Sequence, residues 1–161
     1  MKGDRMAKYL PALIDIRNKQ TDEDGDSNEI RVRTEGKLYY LENETVLYYQ
    51  EEGTSPDGEA SFFLTIPRDS EKKAAKMVRF GEERMTIHFE EGTLWETALV
   101  TPFGNLNIFF NTQKMDYDLN EDQGRIQIEY TMELSRQNPI RNAIDIRYKV
   151  LSANKEWEEE R

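Results

Sequence analysis

The chain of 161 residues contains no cysteine and a single histidine, His88. The absence of thiols excludes disulfide bonds, cysteine nucleophiles and cysteine-ligated zinc or iron–sulfur centres. No apolar run approaches the roughly 18 residues that a membrane helix needs, and the first residues lack the apolar core of a signal peptide. We therefore expect a cytoplasmic protein that has no membrane partner.

Positive charge is in deficit. The chain carries 22 Lys and Arg against 32 Asp and Glu, a net charge of -10. A surface of that sign repels phosphate backbones. We therefore expect no nucleic-acid partner, unless the basic residues gather on one face.

The last third of the chain alternates apolar and polar residues almost without a break. Successive side chains of a strand point to opposite faces, so this pattern is typical of antiparallel strands with one buried face. Many short strands joined by short turns favour a barrel or a sandwich. We predict an all-β fold, a single closed or nearly closed antiparallel barrel of about 8 to 10 strands. The alternating apolar positions are Leu106, Ile108 and Phe110; Met115, Tyr117 and Leu119; Ile126, Ile128, Tyr130, Met132 and Leu134; and Ile144, Ile146, Tyr148 and Val150.

The first two thirds contain further strands and one helical candidate. Pro11 lies in a first strand predicted over residues 8–19, which favours an edge position or a bulge. Gly36 predicts a kink or bulge, and Asp24-Gly25 suits a tight hairpin. Residues 68–76 are the one stretch with helix-forming composition, with Ser70 as a possible cap. The segment is short, so the alternative is a single turn or an irregular connection. The predicted interior also takes Ile14, Ile16, Ile30, Val32, Met85, Ile87 and Phe89.

The domain organisation follows from these patterns. We expect a flexible N-terminus over residues 1–8, one barrel domain over residues 9–151, and an acidic C-terminal tail over residues 152–161. The tail is expected to fray, although Trp157 could anchor it.

An ordered set of short motifs resembles the YwiB-like family, small bacterial proteins of unknown function. The resemblance spans roughly residues 9–151 and implies a calycin-type (lipocalin-like) β-barrel. It brings no activity and no catalytic residues. The motifs are Thr34-Glu35-Gly36-Lys37-Leu38-Tyr39-Tyr40, Leu47-Tyr48-Tyr49-Gln50-Glu51, Val78-Arg79-Phe80-Gly81-Glu82, Ile87-His88-Phe89-Glu90-Glu91-Gly92, Thr101-Pro102-Phe103-Gly104-Asn105-Leu106, Asp118-Leu119-Asn120-Glu121, Gly124-Arg125-Ile126 and Glu129-Tyr130.

Two motifs allow a functional reading beside a simpler structural one. His88 could be a haem or metal ligand, but its strand pattern places it on the wet face without a second histidine. Asp22, Asp24 and Asp26 resemble the start of a calcium loop, but the glycine and glutamate that such a loop needs later are missing. A surface histidine and a solvated hairpin turn are the favoured interpretations, and we predict no metal site and no cofactor.

Four adjacent aromatic pairs each place one ring on either face of a strand. If the outward rings cluster, they form a patch of the kind that marks protein interfaces, including that of a homo-oligomer. Alternatively, residues 67–76 or the tail cover them. The pairs are Tyr39-Tyr40, Tyr48-Tyr49, Phe62-Phe63 and Phe109-Phe110.

The leading functional prediction is a small apolar or amphipathic ligand inside the barrel, since an eight-strand barrel can hold one. The rim of the barrel mouth is predicted at the turn Thr101, Pro102, Phe103 and Gly104. No arrangement of nucleophile, base or glycine loop predicts catalysis. The predicted ligand-contacting residues are Tyr117, Tyr130, Tyr148, Phe110 and Met132.

Overall fold

The structure is a computed structural model that describes residues 8–52, 59–68, 71–134 and 139–151. It contains ten strands in a single antiparallel sheet, as the alternating pattern predicts. The strands are β1 Leu10–Thr21, β2 Ser27–Tyr40, β3 Glu44–Glu52, β4 Glu59–Pro67, β5 Ala74–Gly81, β6 Met85–Glu90, β7 Leu94–Thr101, β8 Gly104–Leu119, β9 Gln123–Leu134 and β10 Ile140–Val150.

The sheet curls into a nearly closed barrel. Its strand order is β6-β5-β4-β3-β2-β1-β10-β9-β8-β7, so β6 and β7 are the two edges. The edges meet through one isolated bridge, in which Arg84 and Val100 exchange backbone hydrogen bonds of 3.0 and 2.9 Å. Elsewhere along β6 and β7 the described residues form no ladder, which leaves a seam in the barrel wall.

Strand β8 carries a bulge that explains an irregularity in the sequence pattern. Its apolar positions are even-numbered up to Phe110 and odd-numbered from Met115 onward, and the register with β9 shifts between Thr112 and Lys114. One extra residue, Gln113, therefore restores the inward direction of the second run. The two runs, which the sequence presents as separate strands, form one 16-residue strand.

The turn between β6 and β7 covers this bulge. The Gly92 amide donates to the Thr112 carbonyl at 2.9 Å, and the Thr112 amide donates to the Thr93 carbonyl at 3.1 Å. The Met115 amide donates to a carboxylate oxygen of Glu91 at 2.8 Å. Backbone groups that the bulge would leave unpaired are thus satisfied.

The core fills the barrel interior. Most predicted inward positions are buried, but Leu106 and Ile30 are 49% and 48% exposed, so their placement inside was wrong. Leu106 lies where β8 pairs only with β7, and Ile30 lies where β2 pairs only with β1. Both belong to hairpin ends that extend past the barrel, where no third strand covers the apolar face.

The described residues of the range 68–76 contain no helix: residues 68 and 71–73 form the irregular connection that was the alternative, and β5 follows. Ala74, Ala75 and Lys76 belong to β5, where Lys76 lies opposite His88. Cross-strand pairing there overrides a helix propensity of a few tenths of a kcal/mol per residue. Ser70, the predicted cap, lies outside the described residues, as do residues 1–7 and the tail 152–161.

Pro11 does not mark an edge strand. β1 pairs with β2 on one side and with β10 on the other. Pro11 is the second residue of β1, and its carbonyl accepts a hydrogen bond from the Leu151 amide at 2.9 Å. A strand end tolerates the missing amide hydrogen even in the middle of a sheet.

Candidate functional site

The residues predicted to contact a ligand lie in or against the packed core. Phe110, Tyr130 and Tyr148 are buried, and Met132 and Tyr117 pack against the buried cluster while staying half-exposed. The Tyr130 ring lies 5.7 Å from the Phe110 ring, centroid to centroid, and 5.1 Å from that of Phe89. These rings occupy the interior themselves.

Two of the three tyrosine hydroxyls already have protein partners. The Tyr148 hydroxyl donates to the Asn120 carbonyl at 2.7 Å, and the Tyr117 hydroxyl accepts from the Ala74 amide at 3.4 Å. Burial raises the pKa of Tyr130 to about 12. Burial likewise raises the pKa of Tyr148 to about 12, against the opposing effect of its hydrogen bond with Asn120. Both are neutral hydrogen-bonding groups at physiological pH.

Two buried hydroxyls in the interior have no hydrogen-bond partner among the described residues. They belong to Thr45 and Thr112, and Thr112 lies opposite Tyr130 in the β8–β9 register. A buried hydroxyl without a partner is uncommon in a folded protein. The buried Oδ1 atom of Asn18 also lacks a partner among the described residues, and these three atoms favour an additional molecule in the interior.

The predicted rim is a tight turn between β7 and β8. The Thr101 hydroxyl donates to the Gly104 carbonyl at 2.6 Å and accepts from the Phe103 amide at 3.1 Å. Gly104 has a φ of +129°, which other residues rarely adopt. Phe103 at the tip is 95% exposed.

The outward aromatic rings do cluster on one side of the barrel. The rings of Tyr48 and Phe63 lie 4.7 Å apart, and those of Phe63 and Phe80 lie 5.7 Å apart in an edge-on arrangement. The Lys37 ammonium lies 5.6 Å from the Tyr48 ring centroid and 4.6 Å from that of Tyr9. We call Tyr9, Tyr39, Tyr48, Phe63 and Phe80 the aromatic row. Phe109 faces outward on β8, opposite Glu96 and Glu133, and is separate from it.

A second outer surface collects arginines from four adjacent strands. β2 contributes Arg31 and Arg33, β1 contributes Arg17, β9 contributes Arg125 and β10 contributes Arg147. Cross-strand pairing places Arg17 opposite Arg31, and Arg125 opposite Arg147. Like charges directly opposite each other on one face of a sheet destabilise it. We call this surface the arginine groove.

Two aspartates hold part of this cluster in place. Arg31 donates to both carboxylate oxygens of Asp15 at 3.2 and 2.9 Å, and Arg125 donates to both of Asp145 at the same distances. The hydrogen bond from Arg31 lowers the pKa of Asp15. Burial alone would raise the pKa of Asp145, but hydrogen bonds from Arg125 and Arg147 outweigh it and lower the value. Both carboxylates are ionised. Asp116 and Asp118 of β8 continue the same two rows, with Asp118 opposite Arg125, so the five guanidiniums lie among four carboxylates.

The groove is open to solvent and has a volume of about 710 Å³. Leu13 lines it and is only 4% exposed, although its register places it on the outer face. Lys149 and Gln123 lie in the same row as Leu13 and also line the groove. The combination of an apolar floor with several forked donors suits a compact anion.

The two motifs considered as metal ligands, His88 and the turn of Asp22, Asp24 and Asp26, both make local contacts within the protein. His88 lies on the outer face of β6, where the centroid of the tilted Trp95 ring lies 4.2 Å from that of the imidazole. Burial together with Lys76 lowers the pKa of His88. One carboxylate oxygen of Asp22 accepts the amides of Asp24 and Asp26 at 2.9 Å, which closes the β1–β2 hairpin. Within the described ranges no three His, Cys, Asp or Glu side chains are grouped to hold a metal ion.

Trp95 and His88 also form one wall of a second outer groove, of about 500 Å³, beside the barrel seam. Thr65 of β4 and Lys76 of β5 form another part of its lining.

The stretches of chain with described coordinates contain no helix that is long and apolar enough to cross a membrane.

The alternation of the strands contains a signal for the arginine groove. Each arginine occupies an outward position of an alternating strand, so its face was predictable. Their assembly required the pairing of β1 with β10, which brings Arg17 opposite Asp145 across most of the chain.

Comparison with known proteins places these features in a family. A family model described as a domain of unknown function, DUF1934, matches residues 14–146. An uncharacterised β-barrel protein, YwiB of Bacillus subtilis strain 168, is 29% identical over 143 residues, which cover 89% of this chain and 96% of that protein. The crystal structure of the ywiB protein from Bacillus subtilis superposes with a TM-score of 0.81 at 24% identity, covering 94% of this chain and 99% of that one.

Proposed function

Because the chain belongs to the DUF1934 family, whose description records no function, we propose one from its own surface: a non-catalytic binding protein that takes an anionic ligand in the arginine groove. The single observation that carries this proposal is the excess of basic side chains that line the groove. It is lined by Arg31, Arg33, Arg125, Arg147 and Lys149 beside the three carboxylates of Asp15, Asp116 and Asp118, on a molecule whose net charge is -10.

Stability alone does not explain this arrangement. A structural ion-pair network would pair each arginine with a carboxylate, as Arg31 and Arg125 are paired. Arg17 and Arg33 have no carboxylate within ion-pair distance among the described residues, and Arg147 shares Asp145 with Arg125 at 3.6 Å. Arg33 and Arg147 both line the groove, so an anion seated there would contact both guanidiniums.

The chemistry of the donors indicates the class of ligand. Guanidinium groups bind phosphate and carboxylate through two parallel hydrogen bonds, which a lysine cannot offer. A volume of about 710 Å³ suits a small molecule. The acidic remainder of the surface repels long polyanions, so the proposal is a compact phosphorylated or multiply carboxylated molecule rather than nucleic acid.

The test is calorimetric titration of the protein with inorganic tripolyphosphate at low and moderate salt. The variant R33Q/R147Q should bind roughly 10- to 100-fold more weakly, since a hydrogen bond to a charged group contributes about 1.5–3 kcal/mol and part of each is replaced. The control K19Q/R141Q removes the same charge from outward positions of β1 and β10 that do not line the groove. Equal losses in the two variants, or no binding at millimolar tripolyphosphate, would contradict the proposal.

The aromatic row supports a second candidate, a protein interface that would make a homo-oligomer. Tyr9 and Phe80 are each 47% exposed, although Tyr9 contacts the ring of Tyr39 and Phe80 contacts the ring of Phe63. Clustered rings with this exposure form an apolar patch of the kind found at interfaces. Sedimentation equilibrium should detect self-association that F80S weakens and that F103S, in the more exposed turn between β7 and β8, does not. A strictly monomeric protein at high micromolar concentration would refute this candidate.

The predicted apolar or amphipathic ligand inside the barrel is supported by the unpaired hydroxyls of Thr45 and Thr112. It would have to share space with the packed rings of Phe110 and Tyr130. Native mass spectrometry of protein purified gently from its own host tests it. A bound molecule lost on denaturation, whose binding is unaffected in R33Q/R147Q, supports an interior site, and a bare protein refutes it.

A further inference from the structure

Trp95 is exposed although its position in β7 is an inward one. It lies directly opposite the buried Phe110 in the β7–β8 register, and side chains directly opposite each other share a face of the sheet. Trp95 is nevertheless 38% exposed, and its ring contacts that of His88 on the outer face of β6, with 4.2 Å between the centroids. The indole therefore lies at the seam, where the described residues of β6 and β7 form no ladder, rather than in the core.

We call the second outer groove, of about 500 Å³, the seam groove. Thr65 and Pro67 of β4 and Ala74 of β5 line it with short side chains. Trp95 and its neighbour Leu94, which is 64% exposed, form an apolar wall beside them. Pockets for small molecules typically have volumes of this order, an apolar lining and a few polar groups. The wall therefore offers a face on which the planar part of such a molecule can stack.

Lys76 supplies a positive charge to this groove. It lies opposite Thr65 on β4 and opposite His88 on β6. Among the described residues no carboxylate lies within ion-pair distance of the Lys76 ammonium, and Glu90, which also lines the groove, is paired with Lys72 at 3.4 Å. Burial and the charge of Lys76 lower the pKa of His88, so the imidazole adds no second positive charge at physiological pH. An ammonium in this setting suits a carboxylate, which accepts charge-assisted hydrogen bonds.

We propose that the seam groove binds a small aromatic molecule with one carboxylate. The aromatic part stacks on the Trp95 indole, and the carboxylate accepts hydrogen bonds from the Lys76 ammonium and the Thr65 hydroxyl. Glu44 lines the groove from β3, two strands from Lys76 and so about 10 Å away at a spacing of about 4.8 Å per strand. Its charge disfavours a second carboxylate on the ligand. The site goes beyond the proposed function, since no described residue lines both this groove and the arginine groove.

The test is calorimetric titration of the full chain with three indoles that differ in charge. Indole-3-acetate carries a carboxylate, indole-3-acetamide is its uncharged counterpart, and tryptamine carries an ammonium. We expect indole-3-acetate to bind, and indole-3-acetamide to bind roughly tenfold more weakly because hydrogen bonds to a charged group are lost. Tryptamine should not bind detectably. Indole-3-acetate should also shift the indole Nε1–Hε1 NMR signal of isotope-labelled protein that the variant W95F lacks, which places the ligand at Trp95.

The variant K76Q tests the contact with the carboxylate. It should bind indole-3-acetate roughly tenfold more weakly and bind indole-3-acetamide unchanged, because only the charged contact is removed. The control K19Q removes the same charge at an outward position of β1 that does not line the seam groove, and it should change neither affinity. Urea unfolding of both variants checks that they stay folded.

Four outcomes would overturn this site. The first is no binding at millimolar indole-3-acetate. The second is equal or tighter binding of indole-3-acetamide or tryptamine, which would show that the carboxylate is not recognised. The third is an equal loss in K76Q and K19Q, which would show a general charge effect. The fourth is a loss in R33Q/R147Q but not in K76Q, which would place the carboxylate in the arginine groove. Tripolyphosphate binding is measured independently, so the proposed function and the seam groove fail separately.

Discussion

Replacing Gly36 with alanine should destabilise the barrel at the point where β3 leaves β2. Pairing between the two strands covers only residues 37–40 of β2, and it ends where Lys37 faces Tyr48. A Cβ at position 36 would overlap the Tyr48 carbonyl oxygen and would lie 2.6 Å from Cδ1 of Ile14. The first neighbour is backbone and cannot rotate away.

The expected cost follows from these contacts. Forcing a methyl group into a filled site typically costs 1–3 kcal/mol, and the rigid carbonyl places this case at about 2–3 kcal/mol. For a domain of this size, each kcal/mol lowers the Tm by roughly 2–4 °C. We therefore expect a fall of about 4–12 °C for Gly36→Ala, with an unchanged urea m-value because the unfolding surface stays the same.

A double-mutant cycle with Ile14→Val identifies the cause. Ile14→Val alone should cost about 0.5–1.5 kcal/mol. In the Gly36→Ala background it should cost at least about 0.5 kcal/mol less, because it removes the atom that the new methyl group meets. A Gly36→Ala protein within 0.5 kcal/mol of the parent, or strictly additive costs, would refute the close crossing of β3 at Gly36.

Three further predictions concern the core, the tyrosines and the bulge. Phe110→Ala should cost about 3–5 kcal/mol in urea unfolding, whereas Phe103→Ala, at the exposed rim, should stay within about 0.5 kcal/mol. The folded-state pKa values of Tyr130 and Tyr148 lie near 12, against an ordinary value near 10. The contribution of these tyrosines to the free energy of unfolding is therefore complete below pH 10 and is lost as the pH rises to 12. Chemical unfolding at fixed pH steps should show this fall, and Tyr130→Phe should reduce it. Deletion of Gln113 should abolish cooperative unfolding in circular dichroism.

The fold was largely predictable because its information is local. Alternation along β9 and β10 assigns each side chain to a face, and the buried positions Ile126, Ile128 and Ile146 confirm it. The bulge was readable in the same way, as a change of phase between Phe110 and Met115. The family resemblance is confirmed, whereas the calycin assignment that it implied stays a prediction.

The errors have a common physical origin. Leu106 and Ile30 satisfy the alternation, but whether an apolar face is covered depends on how far the neighbouring strands extend. Ala74 and Ala75 have helix-forming neighbours, but pairing with β6 decides their conformation. Coverage and pairing are properties of the assembled sheet, which a local pattern does not contain.

The candidate site shows the same division between local and assembled information. The net charge of the protein predicts that it repels anions. This prediction applies only at long range, where the whole molecule acts as one charge. At contact distance the relevant charges are those within about a Debye length, roughly 8–10 Å. Adjacent strands lie about 4.8 Å apart, so the pairings of β1 with β2 and β10, and of β10 with β9, bring Arg17, Arg31, Arg33, Arg125 and Arg147 within that range of a neighbour. In the groove, Arg31, Arg33, Arg125, Arg147 and Lys149 outnumber the lining residues Asp15, Asp116 and Asp118. A chain with ten excess negative charges can therefore present a locally basic groove that admits a small anion, while the acidic remainder of the surface selects against large polyanions.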